Sequence, residues 1–277
     1  MITQIGLNIY IDGVKHNKTP RWFNRDNYSI EDVKTPGSSF QVQFSKVYSD
    51  GTESALSSPQ THSLVAGVET YNYNQDVVLV FNGNSLTKGT IGGGTEQYYP
   101  NVVKDFFTTK FNTLEFYSYA GNGDKMWELW RDAPTNIHPR VVTAKNNFII
   151  MWEDINSFVS LNYSADDQWQ AVKEYFDGCR AAGYNNLILI TGYHPRQHPY
   201  NPEGIRQRDI FIQRVLDTPI AEASWDYHID LNEASNIGGA KGLLQNEYFH
   251  DMVHLKPIGY DIVANTVINK ILDIIKI

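Results

Sequence analysis

The chain has 277 residues, 42% of them hydrophobic and 13% aromatic, which is enough apolar material for a large core and excludes a disordered chain. Its formal net charge of −8, with no basic run, argues against nucleic acid and anionic lipid as partners. The single cysteine, Cys179, cannot form an intramolecular disulfide, no apolar run is long enough to cross a membrane, and the first residues lack the charged and apolar regions of a signal peptide.

Ile5, Leu7, Ile9 and Ile11 alternate with polar or small residues and run into Asp12-Gly13, which predicts a strand and a hairpin turn. Phe40, Val42 and Phe44 repeat the alternation, and Asp50-Gly51 closes the next turn. A small antiparallel β module is therefore expected over 1–66. The run from Thr35 to Ser57 resembles the second half of a fibronectin type III domain. That resemblance implies a sandwich lacking its first strands, with an exposed edge. The module is then either a truncated spacer or is completed by assembly with another chain or with the domain that follows. Residues 67–74 read as a linker.

Val77-Val78-Leu79-Val80-Phe81, bounded by Asp76 and Asn82, is a continuous apolar run of the kind found in a parallel-sheet strand buried on both faces. Gly83 allows a sharp exit, which places Ser85 at the carboxyl end of that strand, where open α/β sheets hold ligands. Gly92-Gly93-Gly94 lacks the Lys-Ser/Thr of a phosphate loop and the spacing of a dinucleotide fingerprint, so it reads as a flexible loop. Pro100 opens a helix with Val102, Val103, Phe106 and Phe107 on one face, and 113–118 is the second strand of this part. Gly121 and Gly123 lie in the turn that leaves it, ahead of a helix carrying Met126, Leu129 and Trp130.

The third strand, 147–152, ends in Trp152-Glu153-Asp154-Ile155-Asn156-Ser157. Ser164 with Asp167 predicts the N-cap of a helix that presents Trp169, Val172, Phe176 and Cys179 and stops at Gly183. Cys179 is then a buried, inert thiol. A fourth strand at 187–191 leads into a loop with His194 and His198, which reads as a site rim rather than a metal pair for want of a third ligand. A helix at 204–216, a strand at 227–231 and a final helix from Pro257 complete the pattern. Ile258, Ile262, Val263, Val267, Ile271 and Leu272 form the expected buried stripe of that last helix. The alternation over 75–277 predicts a parallel sheet with helices on both faces.

A serine hydroxyl becomes a nucleophile only beside a base that is itself oriented by an acid. Asp251 and His254 are spaced so that one loop presents acid to base and base to Ser85. His250 and His254 also form a metal-type pair, but that reading lacks a third ligand and leaves Ser85 unused.

Phe81-Asn82-Gly83-Asn84-Ser85-Leu86-Thr87 resembles the Gly-Asp/Asn-Ser-Leu/Ile-Thr block of the SGNH (GDSL) hydrolases, and Asp251-Met252-Val253-His254-Leu255 resembles their Asp-x-x-His block. The resemblance implies a three-layer α/β/α domain over 75–277, flavodoxin-like, with a five-stranded parallel sheet, and an acyl-enzyme mechanism with Ser85, Asp251 and His254 as catalytic residues. It also implies an oxyanion hole from the Ser85 and Gly123 N–H groups, with Gly121 as the fallback, and from the Asn156 side chain. Where the family has Gly-x-Asn-Asp, this chain has Asp154-Ile155-Asn156-Ser157, so Glu153 is the competing occupant of that place and, with His194, a candidate contact for substrate hydroxyls.

The expected activity is hydrolysis of acetyl or other short acyl esters on a carbohydrate, without cofactor or metal. The alternative is a non-catalytic glycan-binding or phage-tail-type adhesin that keeps the fold. The compartment is left open between extracellular and virion-associated settings.

Overall fold

The structure, a computed structural model, describes residues 4–11, 14–15, 39–48, 52–56, 58, 60–63, 73–90, 99–192, 201–234, 237, 248–251 and 253–275. The Asp12-Gly13 and Asp50-Gly51 turns, the three glycines at 92–94, His194 and His198 lie outside them. The chain divides into two units, Met1–Tyr71 and Asn72–Ile277.

In the first unit β1 (Gln4–Ile11), β2 (Val14–Lys15), β3 (Ser39–Tyr48) and β4 (Gln60–Ser63) form one antiparallel sheet in the order β2-β1-β3-β4. Ile11 pairs with Val14 and Tyr10 with Lys15. Glu53 ties this sheet's side chains together, accepting from the hydroxyls of Tyr10 at 2.8 Å and Ser45 at 2.6 Å.

The first described residue of the second unit is Tyr73, whose N–H donates to the Lys110 carbonyl at 2.8 Å and whose ring packs on Phe111. Its parallel sheet has the order β6-β5-β7-β8-β9, with β5 Asp76–Gly83, β6 Thr113–Ala120, β7 Asn146–Trp152, β8 Asn186–Thr191 and β9 Tyr227–Asp230. The helices are α1 (Ser85–Lys88), α2 (Tyr99–Phe107), α3 (Met126–Asn136), α4 (Asn156–Leu161), α5 (Ala165–Ala182), α6 (Pro202–Asp217), α7 (Leu231–Ala234) and α8 (Pro257–Ile275).

Strand β5 shows why its sequence is apolar from Val77 to Phe81. Successive side chains of a strand point to opposite faces, so Val77, Leu79 and Phe81 enter one core with Tyr99 and Val103 of α2 and Val263 and Val267 of α8. Val78 and Val80 enter a second core with Met126 and Leu129 of α3 and Val172 and Phe176 of α5. Each such side chain contributes about 1.5–3 kcal/mol by leaving water. The α/β/α layering follows, with Cys179 buried and its thiol pushed up to about 12 by that burial.

Three expected contacts differ. Ile258 is 52% exposed, and the buried face of α8 runs instead through Tyr260, Val263, Ala264, Val267, Ile268 and Ile271, because the helix turns its first apolar residue outward. Phe106 and Trp130 are exposed as well, on helices that bury Val103 with Phe107 and Met126 with Leu129.

Candidate active site

Gly83, Ala120 and Trp152 lie in register at the carboxyl ends of β5, β6 and β7. The chain segments that follow them therefore leave the sheet side by side. At Gly83 there is no room for a side chain, since a Cβ would meet Thr87 Oγ1 at 2.2 Å and the Trp152 carbonyl oxygen at 2.6 Å. Asn84 then caps α1, its Oδ1 accepting from the Leu86 N–H at 2.8 Å. Ser85 is the first residue of that one-turn helix and is 6% exposed. Its carbonyl is taken by the N–H groups of Gly89 at 2.9 Å and Thr90 at 3.0 Å. Its own N–H, at the start of a helix, has no intrahelical acceptor.

The base arrives from a hairpin. Phe249 and Leu255 form an antiparallel bridge, the His250 N–H donates to the His254 carbonyl at 2.9 Å, and the Lys256 N–H donates to the Tyr248 carbonyl at 2.8 Å. Both bridge residues are buried, which anchors the tip. Within the tip Asp251 Oδ1 accepts the N–H groups of Val253 at 2.7 Å and His254 at 2.6 Å. Asp251 Oδ2 lies 2.8 Å from His254 Nδ1, and His254 Nε2 lies 2.9 Å from Ser85 Oγ. The carboxylate fixes the tautomer, with Nδ1 donating to Asp251 and Nε2 left to accept the Ser85 proton. Partial burial acts to raise the Asp251 pKa, but the hydrogen bonds from His254 and Val253 outweigh it and hold the carboxyl below its usual range.

Both ring nitrogens of His254 are thus engaged, and the His250–His254 spacing belongs to a hairpin rather than a helix face. Among the described residues no three His, Cys, Asp or Glu side chains gather as a metal site.

The candidate oxyanion donors come from the exits of β6 and β7. Gly123 has φ +80, and among the described residues a Cβ built on it would touch nothing within 4 Å, so a left-handed glycine stands here. The N–H of the fallback, Gly121, is directed to the Gly83 carbonyl at 3.4 Å. That leaves Gly123 the better placed of the two.

Asn156 opens α4, a helix the sequence reading did not anticipate. Its Nδ2 donates to the Asp124 carbonyl at 3.0 Å, which uses one of its two protons.

Glu153 is not at a substrate-facing rim. It is 0% exposed, and its Oε1 accepts the N–H groups of Asn156 at 2.7 Å and of Ile155 and Ser157 at 3.3 Å each. Its Oε2 accepts the Ser157 hydroxyl at 3.0 Å and Gln168 Nε2 at 3.2 Å. The carboxylate turns inward because α4 begins at once and needs an acceptor for its first N–H groups. Burial and the neighbouring Asp154 push its pKa up to about 7 against those hydrogen bonds.

Asp154, which falls on the family's glycine, is also buried, paired with Arg208 Nη2 at 3.0 Å and accepting the Gly192 N–H. Arg208, 2% exposed on α6, additionally donates through Nε to the Asp154 carbonyl at 2.8 Å. Sequence reasoning missed Arg208, Gln168 and Ser157. The run Asp154-Ile155-Asn156-Ser157 ahead of Phe158 and Val159 was the available signal for a helix start.

A five-stranded parallel sheet between helical layers is the SGNH flavodoxin-like α/β fold, and here a serine, a histidine and an aspartate are hydrogen-bonded in sequence at its carboxyl edge. No protein-family model and no curated protein matches the chain. Among solved structures, a lipase/acylhydrolase from Enterococcus faecalis is similar with a TM-score of 0.53 at 16% identity, over 71% of this chain and 95% of that one. A G-D-S-L family protein from Desulfitobacterium hafniense DCB-2 gives 0.53 at 12% identity, over 69% and 98%. A variant of an acetyl-xylooligosaccharide esterase from Geobacillus Stearmophilus gives 0.52 at 15% identity, over 72% and 96%. The likeness is one of fold, and the chemistry is carried by the residues of the site.

Proposed function

We propose that the protein is a serine esterase that removes acetyl or other short acyl groups, with carbohydrate esters as its substrate class. The observation that carries this reading is the continuous chain Asp251–His254–Ser85, at 2.8 and 2.9 Å. In the proposed reaction Ser85 Oγ attacks the acyl carbon while its proton passes to His254 Nε2, and Asp251 stabilises the imidazolium. The negative oxygen of the tetrahedral intermediate accepts from the Ser85 and Gly123 N–H groups and from the second Nδ2 proton of Asn156. The alcohol leaves with the proton from His254, and water, deprotonated by the same imidazole, releases the acid and frees Ser85. The carbohydrate part is supported by the fold's likeness to an esterase of acetylated xylo-oligosaccharides. We read the antiparallel N-terminal unit as a fibronectin type III-like spacer or assembly module, a reading supported by its strand pattern.

The test is hydrolysis of nitrophenyl acetate together with labelling by a fluorophosphonate, in wild type and Ser85→Ala. Wild type is expected to show both. The variant is expected to fold and to lose both, with kcat lower by about a thousandfold or more. Labelling that persists in Ser85→Ala moves the nucleophile elsewhere, and an inert wild type favours the glycan-binding alternative.

A further inference from the structure

Asn156 and Gly123 come from different strands, and nothing in either local sequence sets the distance between them. α4 has only six residues, Asn156–Leu161, too few to hold its own shape in water. Its first turn is collected by one buried side chain, Glu153, which accepts three consecutive N–H groups through Oε1. From that turn two hydrogen bonds cross to the segment that leaves β6. Asn156 Nδ2 donates to the Asp124 carbonyl at 3.0 Å, and Ser157 Oγ accepts the Met126 N–H at 2.9 Å while donating to Glu153 Oε2 at 3.0 Å. Gln168 of α5 holds the glutamate from behind, donating to its carbonyl at 2.9 Å and to Oε2 at 3.2 Å. Gly123 immediately precedes Asp124, at the start of the stretch so tied.

We propose that Glu153 is a positioning residue of the oxyanion hole, fixing Asn156 directly and the Gly123 turn through Ser157, so that donors from two strand exits stand at one separation. This rests on the oxyanion roles assigned above to Asn156 and Gly123. Glu153 touches no substrate in this role. Its effect on turnover passes through the separation of the Asn156 and Gly123 donors, which matters only while Asn156 is present, and that is what distinguishes it from a helix cap serving stability alone. A glutamine in its place keeps an oxygen for the three N–H groups and puts an NH2 where the Ser157 hydroxyl needs an acceptor. The crossing to Met126 is then weakened while the cap remains.

The experiment is a double-mutant cycle on the full chain, read as kcat and KM for nitrophenyl acetate, with Glu153→Gln, Ser157→Ala, Asn156→Ala and the doubles that include Asn156→Ala. Glu153→Gln is expected to lower kcat about tenfold with KM within about twofold, and to have less than about a threefold effect once Asn156 is alanine. Ser157→Ala is expected to follow the same pattern with a smaller loss. If Glu153→Gln fails to fold, Ser157→Ala, which leaves the cap in place, decides by the same cycle. A loss that multiplies in full in the Asn156→Ala background, or a drop in melting temperature with kcat unchanged, overturns the inference while leaving the esterase reading intact. A wild type that neither hydrolyses the ester nor takes the fluorophosphonate overturns both.

Discussion

The two halves of the candidate site are held in opposite ways. The acid and base sit on a half-exposed hairpin tip, and the bonds that orient them span two or three residues, from Asp251 to Val253 and His254. The proposed oxyanion donors are backed by a network whose bonds span 31 residues from Met126 to Ser157, 32 from Asp124 to Asn156 and 54 from Asp154 to Arg208. A locally held device can lose its chemistry without loosening the fold. A device held through the core couples turnover to stability.

The largest expected effect tests the local half. Asp251→Asn keeps an oxygen for the two backbone N–H groups but sets an NH2 against His254 Nδ1, which favours the wrong tautomer, so kcat should fall by about 10³ to 10⁴. Because the side chain is half exposed, the melting temperature should move by no more than about 2 °C. A collapse of the melt would show that the hairpin is not held by its own bonds.

Next comes the buried half. Arg208→Met leaves the Asp154 carboxylate enclosed without its cation, which should cost about 3–5 kcal/mol. A thermal melt should register that as a fall on the order of ten degrees. A variant that melts with wild type would mean that Asp154 is reached by water and that the contrast is overdrawn.

Asn156→Ala should lower kcat roughly a hundredfold with little change in KM, because the bond to the substrate oxygen strengthens only in the transition state. Equal losses in KM and kcat would place Asn156 in ground-state binding instead.

The last effect is one of pH. Glu153 titrates near 4.5 when unfolded and is raised to about 7 by burial and by Asp154, so the folded protein keeps a proton that the unfolded chain has released. The stabilisation from that proton is fully present below about 4.5 and is lost as pH rises through about 7. Glu153→Gln should flatten this part of the melting-temperature profile, and an unchanged slope would assign it to another group.

The same contrast governs what could be read from the sequence. The apolar run into Gly83, the Ser164–Asp167 cap and the Asp251–His254 spacing each signal through neighbours in sequence, and the structure places β5, the start of α5 and the hydrogen-bonded Ser85–His254–Asp251 chain there. Glu153 was misread because the direction of a side chain at a strand end depends on where the chain turns next, and α4 turns it inward onto Gln168, fifteen residues away. Arg208 gave no signal at all. A cation in the middle of an amphipathic helix looks like a solvated residue until its carboxylate partner is known, and that partner lies on another element.

The separation of Ser85 from His254, 169 residues, has a consequence for synthesis. At ordinary translation rates roughly ten to thirty seconds pass between the emergence of the serine and that of its base. Through that interval β5 can pair with β6 and β7 as each appears, while the Ser85 hydroxyl remains an unreactive alcohol for want of a proton acceptor. The nascent domain can therefore assemble most of its sheet before the Ser85–His254 pair of the proposed mechanism is able to form.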